Sequence, residues 1–425
     1  MTLKKIAALL AIAGIASPAF ATNGYFAHGY GMKALGMAGV GIAMPQDSLA
    51  AATNPAGMVM VGDRLDVGLD WFRPTRGADI SGTGTAPGPG QLGIDGSYDG
   101  NGKKNFFIPE FGYNKMLNSN LSLGVSVYGN GGMNTQYDKS PFATGAFTGA
   151  GTNPAGVDLM QLFVAPTVAY KINADHAVGL SINLAYQRFK AEGLQAFGGM
   201  SSDASNLTNN GYDSSTGYGA RIGWTGRVAP NVTLGATYQT RTNMGKLDKY
   251  KGLFAEQGDF DIPENYGAGI AVKVMPQLTI AADVEQINYS KIKSIANSVT
   301  AGGPLGASNG AGFGWRDMTV LKLGVSYDLG RDMVLRAGFS HAKQPIPEKE
   351  TFFNILAPGV VQDHLTLGGT WTLANKSELT VGYMHAFKKT VNGSGSVAAA
   401  TGGAPGEANL RMYQDSLGVG YGVKF

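Results

Sequence analysis

The sequence predicts an all-β fold: a transmembrane antiparallel barrel of about 14 strands with an N-terminal hatch, or plug, in its lumen. Three observations predict it. The composition is poor in charge (15%) and rich in glycine (64 residues) and aromatics (10%). Apolar and small-or-polar residues alternate with a period of two in segment after segment, which is the pattern of a strand with two unlike faces. Short turns and long loops alternate along the chain, as they do in outer-membrane barrels, where turns are periplasmic and loops external.

The chain starts with Lys4 and Lys5, then an apolar core from Ile6 to Ile15 that is too short to span a bilayer, then Ala19-Phe20-Ala21, a small-x-small cleavage pattern. Residues 1–21 are expected to be a secretory signal peptide. Without Lys4 and Lys5 the formal charge falls from +3 to +1 (3 − 2), so charge gives no nucleic-acid signal. The chain has no cysteine, which excludes a disulfide framework and thiolate metal sites. Beyond the signal no apolar run is long enough for a transmembrane helix.

Residues 22–62 lack the period of two. They are rich in small residues yet carry Met, Leu and Val, a composition that argues against disorder and for a compact plug. Within them DSLAAATNP predicts one short helix, capped by Asp47 or Ser48 and stopped by Pro55.

From residue 63 to 425 the alternation predicts strands near 64–73, 105–116, 121–135, 157–171, 177–192, 216–229, 231–246, 262–275, 277–292, 317–329, 332–345, 363–374, 378–391 and 415–425. NKMLNSN, INADH, APN, MPQ, LGRD and ANKS are the short turns; 75–104, 193–215, 293–316 and 392–414 are the long loops. The last strand is the clearest. Leu417, Val419, Tyr421, Val423 and Phe425 share one face, and Gly418, Gly420, Gly422 and Lys424 the other. Ending on aromatic Phe425 with Tyr421 before it, this strand resembles the carboxyl-terminal signal read by the barrel-assembly machinery.

TNPAG occurs twice, at Thr53–Gly57 and at Thr152–Gly156. The first copy ends the plug, where Asn54 can cap or bridge backbone groups. The second lies in a loop, where Asn-Pro is an ordinary turn signal. The flanks differ, so the repeat is no duplication.

With Asn54, Pro55 and Ala56 placed just before the first strand, the mature chain resembles the FadL family of hydrophobic-substrate transporters. Further points of contact are LAYQRFKAEG (184–193), GWRDMTVLKLGVSY (314–327), GFSHAKQPIP (338–347) and LTVGYMHAF (379–387). The resemblance implies a 14-stranded monomeric barrel closed by a hatch. It implies uptake of long-chain fatty acids or related hydrophobic molecules by passive, ligand-gated diffusion, with sideways release through a kinked third strand. It implies no cofactor and no catalysis. The surrounding partners would be outer-membrane lipid, lipopolysaccharide and the barrel-assembly machinery.

The resemblance also implies basic partners for a ligand headgroup. Arg316 matches a basic residue before the tenth strand, and Arg188 with Lys190 matches a basic pair. Parity places Arg316 and Lys322 in the lumen, because Leu321, Leu323, Val325 and Tyr327 read as outward. Parity points Arg188 outward with Leu180, Ile182, Leu184 and Tyr186, toward lipopolysaccharide phosphates, unless a bulge intervenes. In the third strand alternation is clean to Tyr128 and then meets Gly129, Gly131 and Gly132, which weaken and bend a strand. They predict either a side window or a plain strand end. Phe142, Phe147, Leu194, Phe197, Met200, Leu253 and Phe254 lie in loops. They either capture an apolar ligand, at roughly 0.8 kcal/mol per buried CH₂, or pack the loops together.

Three other functions compete. Uptake of neutral aromatic hydrocarbons would need no role for Arg316. A general porin would need an open lumen, which the plug opposes. An outer-membrane enzyme would need a Ser/His/Asp grouping, and none is apparent. His28, His176, His341, His364 and His385 are scattered and read as structural or solvated.

Overall fold

The computed structural model describes residues 22–143, 151–330 and 332–425; the expected signal peptide (1–21) and Phe147 lie outside the described residues. Among these, fourteen long antiparallel strands form a closed barrel. They are β1 (Arg64–Ser81), β2 (Phe106–Met116), β3 (Leu121–Asn134), β4 (Gly156–Lys171), β5 (His176–Glu192), β6 (Asp213–Ala229), β7 (Val232–Gln239), β8 (Asn265–Met275), β9 (Leu278–Ile287), β10 (Met318–Gly330), β11 (Met333–Ala342), β12 (Asp363–Thr372), β13 (Glu378–Val391) and β14 (Glu407–Lys424). Each pairs with its sequence neighbour. The ring closes where β1 pairs β14, in one register from Arg64–Lys424 to Ser81–Glu407. No open edge remains there, which is what a membrane-spanning sheet requires.

Four strands depart from the periodicity, one of them β9, which stops at Ile287 rather than 292 as Tyr289–Lys291 form a 3-10 turn. β1 and β14 run past residue 73 and start before residue 415, because each supplies the other's ladder even where Pro74 and Gly77 interrupt the apolar alternation. β7 stops at Gln239 rather than 246, and after a one-residue slip in register Asn243–Met244 pair again with β6.

Val67, Leu69, Trp71, Leu321, Leu323, Leu365, Leu417 and Val419 stand exposed on the outside of the wall, as a lipid-facing belt must. The inward faces are polar or bear glycine, and residues 22–62 pack against them. The reason for the glycines is space. A Cβ at Gly338 would lie 2.5 Å from the Met37 carbonyl carbon, and one at Gly368 2.9 Å from the Gly36 Cα. Gly223 and Gly235 likewise make room for Asn54 and Ile42.

The plug's local structure is short turns: α1 (Met32–Leu35), α2 (Met58–Val61) and two 3-10 turns, Ala50–Ala52 and Pro55–Gly57. The single helix expected over DSLAAATNP is therefore corrected. Asp47 Oδ1 does accept the Leu49 amide at 3.0 Å, but helical geometry ends at Thr53. Pro55 forces Asn54 into an extended conformation (φ −147°, ψ 106°), and Pro55 then begins the next turn instead of only ending the last.

Candidate functional site

The wall is incomplete at one place. β2 and β3 pair only from Met116–Ser122 to Phe111–Val127. Beyond that, Phe106 to Glu110 remain paired to β1, while β3 from Tyr128 to Asn134 pairs only with β4. The register on β4 slips at Asn130: Gly129 pairs Leu162 and Gly131 pairs Gln161. Asn130 is thus the extra residue of a bulge. It bends β3 away from β2 and reverses which residues face inward. Pro109, which has no amide hydrogen, sits on the strand left unpaired, a usual location for proline in sheets. Gly129, Gly131 and Gly132 all lie at this bend, so the bend occurs within the strand and not at its end.

The plug's first residues cover the gap from inside. Phe26 bridges Gly131, the Ala27 amide donates to the Asn130 carbonyl at 3.0 Å, and the Gly132 amide donates to the Tyr25 carbonyl at 3.0 Å. Gly131 must be glycine for this, because a Cβ there would overlap the Tyr25 carbonyl oxygen. Behind the gap Tyr30 packs on Tyr128 with ring centroids 4.7 Å apart. Two voids between plug and wall are about 20 Å³ each, room for about one water.

Wall carboxylates hold the plug's backbone. Asp283 accepts the Gly41 and Ile42 amides (2.8 and 3.0 Å), Glu110 accepts the Gly31 amide (2.9 Å), and Asp66 accepts the Ser48 amide (2.9 Å). Asn54 does the same from the plug's side. Its Oδ1 caps the Ala56 amide at 3.1 Å, and its Nδ2 donates to the carbonyls of Ile42 (2.7 Å) and Trp224 (2.9 Å). Pro55 and Ala56 complete that turn against the wall at Gly179. At the turn side, Lys33 and Arg64 pair with Glu378 at 2.6 and 3.0 Å, tying plug and wall by charge. In the lumen Lys322 pairs with Glu285 at 2.9 Å. His28 of the plug meets His364 of β12 with the rings tilted by 36° and their centroids 4.6 Å apart.

Above the plug the loops form an apolar core. Phe142, Leu194, Phe197, Leu253 and Phe254 are all buried and belong to one cluster with Tyr25, Phe260, Tyr289, Trp315 and Phe353. Phe142 meets Phe197 edge-on at 5.0 Å, and Phe254 meets Phe260 at 4.8 Å. Met200 stands apart, 45% exposed. At the rim of this core Arg241 reaches Asp261 at 2.6 Å and Asp259 at 3.5 Å. Burial, with the Asp261 carboxylate beside it, pushes Asp259 up to about 6.

The expected headgroup cations do not converge on the lumen. Arg316 is exposed and lines a surface groove of about 700 Å³ with Asp317, Thr319 and Lys343. The lumen parity assigned to it is corrected: β10 starts only at Met318, and alternation does not extend past a ladder's end. Lys322, inside the ladder, does face inward. Arg188 faces outward with Leu184 and Tyr186, since the β4–β5 register is the same at Leu184–Val164 and Arg188–Met160. Its guanidinium lies over the Tyr212 ring at 4.6 Å, and Lys190 lies 5.3 Å from that ring while pairing with Glu192. Phe425 is exposed at the turn side beside Tyr113, and Tyr421 faces outward between Val67 and Leu379. In the second TNPAG, Asn153 Oδ1 accepts the Ser140 amide at 2.8 Å, a loop-closing contact.

Sequence reading passed over Asp66, Glu110, Asp283 and Arg76. Each sits at inward parity on its strand; for Asp66, Glu110 and Asp283 the period that identified the strands also marked these charges as facing the lumen, whereas Arg76 lies beyond the predicted end of the first strand at residue 73.

A family model described as outer membrane protein transport protein (OMPP1/FadL/TodX) matches residues 9–425. No curated protein matches the chain. Among solved structures, the P. putida toluene transporter TodX superposes with a TM-score of 0.69 at 17% identity, covering 94% of this chain and 99% of that one. The Ralstonia pickettii toluene transporter TbuX gives 0.62 at 18% identity, with coverages of 94% and 99%. A Pseudomonas aeruginosa FadL homologue gives 0.69 at 15% identity, with the same coverages. At these identities the likeness establishes a shared fold.

Proposed function

The chain belongs to the outer membrane protein transport family (OMPP1/FadL/TodX), and from that premise we propose that it takes up long-chain fatty acids or related hydrophobic molecules by passive, ligand-gated diffusion with lateral release. The observation that carries this reading is the broken β2–β3 ladder, faced from inside by Tyr25 to Ala27. An apolar molecule is dehydrated among the loop aromatics, each CH₂ contributing roughly 0.8 kcal/mol. Tyr25 belongs both to that core and to the cover of the gap. Displacing it joins the two and lets the molecule leave sideways into the bilayer, its preferred solvent. Passage straight through the lumen would have to break the plug's carboxylate and Asn54 contacts, which are more numerous.

Deleting Asn130 tests this. Without the bulge residue β3 can run straight and pair with Phe106 to Glu110. Oleate uptake is expected to stop while the barrel still assembles, read by its heat-dependent gel migration. Undiminished oleate uptake by an assembled deletion variant would sink lateral release.

A second reading, uptake of neutral aromatic hydrocarbons, is favoured by one observation: Arg316, Arg188 and Lys190 all lie on outward or exposed positions. Toluene uptake without oleate uptake would establish it.

A further inference from the structure

Arg76 of β1 is inward-facing and only 2% exposed. Its guanidinium spans the outer edge of the β2–β3 gap. Nε donates to the Asn134 carbonyl (2.8 Å), Nη2 to Asn134 Oδ1 (2.7 Å) and to the Lys103 carbonyl (2.7 Å), and Nη1 to the Pro74 carbonyl (3.0 Å). It also lies 5.9 Å from the centre of the Phe106 ring, at the start of β2. Asn134 is the last residue of the bent β3. One side chain therefore ties β1, the loop before β2 and the outer end of β3 together, beside the short ladder of Gly77–Ile80 with Gly96–Asp99 and the backbone bonds of Gln136 to Gly100 and Gly102. All four of these hydrogen bonds end on neutral oxygens. A buried cation is normally matched by an anion in direct contact; this one has carbonyl oxygens as its side-chain hydrogen-bond acceptors, and the Asp99 and Asp158 carboxylates act on it without a hydrogen bond.

The geometry points to Arg76 as the recognition residue for a carboxylate-headed hydrophobe, with β3 as the element its recognition releases. This rests on the lateral-release reading, narrows its substrates to those with a carboxylate head and adds the trigger. A carboxylate forms charge-assisted, bidentate bonds to a guanidinium that neutral carbonyls cannot equal. A fatty-acid headgroup reaching the gap takes Arg76 from Asn134. The outer end of β3 then keeps its β4 pairing, its contacts to Tyr25 and Phe26 and, beyond Asn134, the bonds of Gln136 to Gly100 and Gly102, and the gap widens between those anchors, on the side where the tail must leave. An alcohol with the same tail lacks the charge and leaves the clamp in place. Unlike Arg316, Arg188 and Lys190, this cation stands at the gap itself.

The test compares decanoate with decan-1-ol on the purified full-length protein, reading amide hydrogen exchange over residues 131–136. Decanoate is expected to speed exchange there about tenfold or more, the size set by losing a hydrogen bond to a charged group, and decan-1-ol is expected to leave it unchanged. In Arg76→Gln, exchange is already fast without ligand and decanoate adds nothing. Asn134→Ala, which keeps the cation but removes one acceptor, serves if Arg76→Gln does not fold: it is expected to raise ligand-free exchange while decanoate still adds to it. Equal effects of acid and alcohol, or no effect of decanoate, would overturn the inference. The parent reading has its own readout: if the Asn130 deletion still carries oleate, lateral release falls and this inference with it. If the deletion blocks uptake but acid and alcohol act alike, only the role of Arg76 falls.

Discussion

Asn54 of the hatch and Trp224 of β6 are joined by a hydrogen bond, Asn54 Nδ2 donating to the Trp224 carbonyl at 2.9 Å. The same amide group holds Ile42, and Asn54 Oδ1 caps the following turn. Asn54→Ala would strand buried carbonyls and remove a cap, at about 2–4 kcal/mol of hatch docking. Asn54→Asp would keep the cap and lose both donors. Faster hydrogen exchange over residues 50–60 in both variants, with unchanged barrel melting, is the expected result.

Gly338→Val fills space occupied by Met37 and Ala38. Overpacking costs about 1–3 kcal/mol, and the hatch can yield where the barrel cannot. We expect raised ion conductance in a planar bilayer from an otherwise assembled barrel. Conductance equal to wild type would mean that the wall yields instead.

Lys322→Met leaves Glu285, half-buried in the lumen, without its ion-pair partner, a loss of about 1–3 kcal/mol. The double variant Lys322→Met, Glu285→Gln should recover most of it. Denaturant midpoints for the four members of the cycle measure the coupling directly.

The loop cluster at Arg241 should depend on pH. Asp259 titrates at about 6, above its unfolded value, because burial and Asp261 disfavour its charge. The folded loops therefore bind the extra proton between about 4 and about 6. Their stability is fullest below that window and falls as pH rises through about 6. Proteolysis of residues 240–264 should be slower at pH 5 than at pH 7.5, and Asp259→Asn should abolish the difference.

How far the sequence spoke depended on whether a residue sat inside a ladder. Leu417 to Lys424 alternate as written because the strand is paired on both sides, and the same period placed Lys322 inward and Arg188 outward. It would have placed Asp66, Glu110 and Asp283 in the lumen too, had the charged residues been sorted by parity with Leu69, Phe107 and Val284, but not Arg76, which lies past the predicted end of its strand. Arg316 escaped because it precedes Met318, where the ladder begins and the period stops applying. The bend was legible as three glycines, but the slip at Asn130 was not, since a bulge residue needs no particular side chain. The meeting of Phe142, Phe197 and Phe353 was beyond reach: loops far apart in the chain carry no period that could announce a shared core.

The glycines of the wall have one more consequence. Wherever the hatch backbone touches β6, β7, β11 or β12, it occupies the volume of a missing side chain. A methyl gained on either surface demands one lost on the other. A hatch transplanted from a sister barrel would meet carbon where its own backbone must lie. The two segments are consecutive in the chain yet cut as one piece, and their sequences are free to drift only in step.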